Sequence, residues 1–184
     1  MGNFYVNYTT SGPDREAVAK SLRSAERKAF VGPTVDGTTV FFDAESDTQH
    51  DEVIKDLGAR ASEDLAAPVL AVLNHDDDIL AYWLFEAGQL VDEYNSCPGY
   101  FDGDDPTPAG GDASRLCAAF GVAAKAEQVD EVLRREDYVF AFERHADLAE
   151  LLKHPSDYVC LGYGYIEEGS LAQGGSELDL LAID

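Results

Sequence analysis

The chain has 184 residues, 13 Lys plus Arg against 36 Asp plus Glu, a formal net charge of −23, and 45% hydrophobic residues. That length and apolar content suit one globular core. The charge excludes more: nucleic acid and anionic membrane surfaces both recruit clustered cations, and no basic stripe occurs along this chain.

Asn3 to Thr9 is rich in β-branched and aromatic residues and reads as a strand. A helix follows, with Ser11 or Gly12 as its cap, Pro13 in its first turn, and Ala17, Val18, Leu22 and Ala25 as its apolar stripe. Lys28 to Val31 is a short strand, and Asp36-Gly37 turns the chain into Thr38 to Phe42. Asp47 or Thr48 caps a second helix, in which Val53, Ile54, Leu57 and Leu65 recur at helical spacing, and Pro68 ends it. Val69 to Asn74 and Ile79 to Glu86 are strands around an Asn/Asp turn, and Ala87-Gly88 leads into Gln89 to Tyr94.

Beyond Cys97 the character changes. Residues 97–111 form a Gly/Pro/Asp-rich loop. Asp112 caps a short helix, Ala126 to Arg134 is another, Tyr138 to Phe142 fits strand or helix, and Ala146 to Lys153 is helical. Tyr158 to Ile166 alternates like a returning strand, and an acidic tail closes the chain. The order predicts an α+β fold: a ferredoxin-like βαββαβ half (1–96) extended by a hairpin, then the loop (97–111), then a mostly helical part (112–184) packed on the first as one unit.

The N-terminus lacks the basic and apolar regions of a secretory signal, and the longest apolar run, Ile79 to Phe85, is far short of the ~20 residues of a spanning helix. Cys97, Cys117 and Cys160 form no CxxC, so neither a disulfide framework nor a zinc knuckle is indicated, and a reducing cytoplasm is the simplest home.

Asn74-His75-Asp76-Asp77-Asp78 is the densest polar constellation. His75 with Asp76 and Asp78 could hold a cation or run acid/base chemistry, although the same residues make an ordinary turn. Asp102 and Asp104 suggest a calcium loop, but Pro106 and Ala113 stand where ligands should be, which favours a solvated linker. His145, between Glu143 and Asp147 and behind Tyr138, Phe140 and Phe142, is the other candidate catalytic histidine. Cys97 reads as an inert thiol, Cys117 and Cys160 as core. Glycines 162 and 164 are too few for a phosphate fingerprint and fit close backbone approach within a strand, and no GxSxG occurs.

Tyr82, Trp83, Tyr94, Tyr100 and Phe101 are candidates for partner binding, against the alternative of core packing. The resulting expectation is a non-enzymatic protein-interaction module, of which inhibitor and immunity proteins are one form, with a basic protein partner and no cofactor. A small-molecule-binding regulatory domain and a metal-assisted, hydrolase-like enzyme are the alternatives.

Overall fold

The computed structural model describes residues 2–103, 107–169 and 178–184. Its strands are β1 (Phe4–Ser11), β2 (Ala29–Val31), β3 (Thr38–Asp43), β4 (Val69–His75), β5 (Ile79–Glu86), β6 (Gln89–Asn95), β7 (Ala109–Gly110) and β8 (Leu181–Ile183). Its helices are α1 (Arg15–Ser24), α2 (Asp51–Asp64), α3 (Ala113–Ala119), α4 (Ala126–Arg134), α5 (Ala141–Leu152), α6 (Ser156–Val159) and α7 (Tyr163–Glu167). The strands make one antiparallel sheet in the order β7-β6-β5-β4-β1-β3-β2-β8. The fold is mixed α+β, with a larger sheet than the sequence implied: β7 arises inside the expected linker and β8 inside the expected tail.

Period-two alternation divides the central strands between two cores. Val69, Ala71, Leu73, Ala81, Trp83 and Phe85 pack toward α1 and α2, with Val18, Leu22, Ile54 and Leu57. Leu70, Val72, Leu80, Tyr82, Leu84 and Tyr94 pack toward α3, α4 and α5. A third cluster joins Val40 and Phe42 to Tyr158 and Tyr163. Burial on both faces explains why β4 and β5 read as continuous apolar runs.

Local expectations are corrected at several points. Asp14, not Ser11 or Gly12, caps α1 by accepting from the Ala17 amide at 2.9 Å, so Pro13 lies ahead of the helix. Neither Asp47 nor Thr48 caps α2: Ser46–Thr48 is a 3-10 turn, Gln49 has φ 60°, and His50 occupies the cap position. The stretch from Tyr158 to Ile166 is not a strand. Pro155 and Gly162 start the short helices α6 and α7 there, and Cys160 lies between them, half-buried. The approach expected at the glycines is present, but at the start of α7. A Cβ on Gly162 would lie 2.8 Å from both Asp47 Oδ1 and Tyr5 Cβ, and the Gly164 amide donates to Asp47 Oδ2 at 2.6 Å. Asp112 does cap α3, accepting from the Arg115 amide at 3.0 Å. No helix among the described residues is long and apolar enough to cross a membrane.

Candidate functional site

Eight strands at about 4.8 Å spacing span roughly 34 Å, whereas two helices packed about 10 Å apart cover roughly 20 Å. On the α1/α2 face, part of the sheet must therefore stay uncovered. Gly58 brings α2 against the Phe85 ring, where an added Cβ would come within 2.4 Å. Toward the other end of β5 the sheet floors a cleft of ≈ 580 Å³, with Trp83 and Ala81 beneath and the turn leading into α2 along one wall. Phe4, His75 and Phe101 form another wall. The cleft continues into a recess of ≈ 280 Å³ that shares Asp51, Ala81, Trp83 and Asn95 and adds Lys55 and Glu93.

His75 is fixed by its neighbours. Gln49 Nε2 donates to the Asn74 carbonyl at 2.8 Å, which turns Gln49 Oε1 toward His75 Nδ1 at 2.7 Å. A carboxamide oxygen only accepts, so Nδ1 carries the hydrogen of this bond. Edge-to-face contacts bring the His75 ring to Phe4 at 4.9 Å and Phe101 at 5.4 Å between centroids. Asp47, on the same cleft, is partly buried and holds the Gly164 amide. Burial raises its carboxyl above the ordinary range, while the hydrogen bonds from Gly164 and Val6 oppose that shift.

Seven large apolar side chains are exposed among the described residues, and five of them lie around the β4–β5 turn: Phe4, Tyr100, Phe101, Val139 and Phe140. Phe4 pairs with His75 across β1 and β4, and Tyr100 donates to Asp78 at 2.8 Å. Val139 shares a recess of ≈ 260 Å³ with Asp77 and Asp78, and the Ala141 amide, next to Phe140, donates to the Asp77 carbonyl at 2.6 Å. Phe101 is 73% exposed, so its ring contributes little to the core.

The other sequence candidates fall elsewhere. Tyr82 and Tyr94 stack on each other beneath the C-terminal helices, on the sheet face opposite Trp83. The Tyr82 hydroxyl donates to Asp92 at 2.7 Å and that of Tyr94 to the Leu133 carbonyl at 2.8 Å. Burial, opposed by Arg144, raises Tyr94 to about 12. His145 is buried against Tyr5, with the Tyr5 hydroxyl 2.9 Å from Nδ1, and burial pushes it down to about 3. Among the metal candidates, Asp76 accepts from the Gly2 amide at 2.9 Å, Asp78 is engaged by Tyr100, and Asp102 is exposed. Asp104 lies outside the described residues. No three His, Cys, Asp or Glu side chains among the described residues converge as a metal site. Cys97 is half-buried beside Asp77 and Asp78, and Cys117 is buried in α3.

Sequence reasoning gave no site role to Phe4, Gln49 or Lys55, read Asp47 only as a helix cap and Phe140 only as a neighbour of His145, and did not single out the Val139-Phe140 pair. Only the last carried a local signal, two apolar residues in a segment with no periodicity.

Comparison with protein-family models, curated proteins and solved structures finds no match for this chain.

Proposed function

We propose that the chain is a non-enzymatic protein-interaction module that docks a basic segment of a partner protein against the β4–β5 end of its sheet. The observation that carries this reading is the gathering of five exposed aromatic and aliphatic side chains around one turn, beside Asp76, Asp78 and Asp102. An apolar patch with carboxylates at its rim suits a partner that offers hydrophobic contact and Lys or Arg together. Among the described residues, Lys55 is the only Lys or Arg lining the cleft and its recess. The net charge of −23 would speed encounter with a basic partner and opposes pairing with a second copy or with nucleic acid.

We read the β4-β1-β3-β2 core, with α1 and α2 on one face, as a ferredoxin-like unit extended by the β5–β6 hairpin, with the patch at the turn that joins the two. The strand order and the alternation of strands and helices support that reading. A reducing compartment suits the three unpaired cysteines.

Trp83 is the only tryptophan and lies on the cleft floor, so its emission reports on this site. Titration with hexa-arginine should change Trp83 emission saturably, with affinity falling steeply as salt rises from about 50 to about 500 mM, while hexa-glutamate leaves it unchanged. A flat response to hexa-arginine at low salt, or an equal response to both peptides, would remove the reading.

A further inference from the structure

Lys55 projects from α2 into the recess beside the cleft. Its ammonium lies 5.4 Å from the centre of the Trp83 ring, 3.7 Å from Asp51 Oδ2 and 3.8 Å from Glu93 Oε2. These three groups come from α2, β5 and β6. The contact with Asp51 is an ordinary one-turn helix pair. The reach to Glu93 and Trp83 carries the lysine off its helix and onto the sheet. Lys55 is the one cation paired with Asp51 and Glu93 among the described residues.

We infer that Lys55 occupies the position built for a guanidinium of the partner, as an internal competitor that an arginine of the docking segment displaces. The inference rests on the docking reading above and names the chemistry that the cleft selects. Both ion-pair distances exceed the ~2.7–2.9 Å of a tight charge-assisted hydrogen bond, so the ammonium is shared loosely between two carboxylates. A guanidinium offers five donors in a planar fork that can bond carboxylates two-pronged and stack flat on an indole, whereas a compact ammonium meets both only as a point charge. The Lys55 side chain is 37% exposed and can turn into solvent. Exposed pairs of this kind are weak, so releasing them costs little.

The test uses the full chain and hexa-arginine, read by Trp83 emission. Lys55→Met should bind about three- to fivefold more tightly than the unsubstituted chain, the fold-change equivalent to one exposed ion pair. Lys55→Arg keeps a cation in place and should bind no more tightly than the unsubstituted chain. Lys125→Met, at an exposed position on the opposite side of the sheet, removes the same charge and measures the general electrostatic gain. Equal tightening by Lys55→Met and Lys125→Met would overturn the competitor role while leaving the docking reading intact. If no variant responds to the peptide, both fall.

Discussion

The two faces of the sheet are covered by different means. On the α1/α2 face the contacts are mainly apolar and close, with Ala19, Ala61 and Gly58 letting the helices approach. On the opposite face buried polar groups hold the helical layer in place. Asn7 donates to the Val159 and Leu161 carbonyls, Tyr5 meets His145, and Arg144 donates to the Tyr94 hydroxyl and to the carbonyls of Val132, Leu133 and Arg135. Arg144 is 4% exposed and has no carboxylate partner among the described residues. Its charge is met instead by the negative end of α4, whose last carbonyls it caps. The contrast teaches where a site can form: five helices with buried polar anchors close one face, and two closely packed helices leave the end of the other open.

The largest difference between the faces should appear on acidification. His145 and His154 are both buried in the C-terminal layer, His154 with its ring edge-on to Phe120 at 4.5 Å, and both are pushed down to about 3 by burial. His154 further depresses His145. A base whose folded pKa is depressed binds protons preferentially when unfolded. Its contribution is therefore complete above about 6.5 and is lost as pH falls from there toward about 3. Between pH ~7 and ~5 the pair should cost about 4 kcal/mol of unfolding free energy. Asp47, whose carboxyl is raised, acts in the opposite direction. Urea unfolding across this range measures the loss, and His154→Leu should reduce the slope by about half. An unchanged slope would mean that His154 takes up its proton in the folded state.

Arg144→Met tests the polar anchoring directly. It takes the donor from the Val132 and Arg135 carbonyls, while Tyr94 and Leu133 keep their mutual hydrogen bond, and should cost about 3 kcal/mol, with Arg144→Lys recovering less than half because one ammonium cannot reach all four acceptors. On the other face, Gly58→Ala drives a methyl group into the Phe85 ring. The clash outweighs the helix-propensity gain of about 1 kcal/mol, for a net loss of about 1–2 kcal/mol. Because Phe85 adjoins the cleft floor, α2 should back away, and Trp83 emission should shift to the red. A loss without that shift would mean that the strain is absorbed elsewhere.

How much of this was legible depended on whether a local pattern carried it. β4 and β5 are readable because each is a long apolar run bounded by turn residues, and α4 because Val129, Val132 and Leu133 recur on one face. β7 and β8 have two and three residues and are too short to show any period. They exist because β6 and β2 offer unpaired edges. Tyr158 to Ile166 imitates a strand by alternation, but Pro155, Gly162 and the grip of Asp47 on the Gly164 amide dictate helical turns. At the candidate site, His75, Trp83, Tyr100 and Phe101 stand out as residue types. Gln49, Asp47 and Lys55 owe their roles to groups 25 or more residues away, which spacing along the chain cannot reveal.

The smallest effect on stability belongs to Phe101→Ala, and it divides the two faces most sharply. At 73% exposure the ring buries too little to matter for folding, so unfolding free energy should change by less than about 0.5 kcal/mol. The same ring meets His75 and overhangs the cleft, where a cation contact is worth about 1 kcal/mol, so hexa-arginine affinity should fall about fivefold. Tyr82→Phe, one residue from Trp83 on the same strand, should do the reverse. It removes the bond to Asp92 from the opposite core, costing about 1 kcal/mol of stability with peptide affinity unchanged. Adjacent positions on β5 would then report on different properties because successive side chains of a strand face opposite sides. If Tyr82→Phe weakened the peptide as much as Phe101→Ala, the two layers would be coupled through the sheet, and the docking energy would not be confined to the exposed turn.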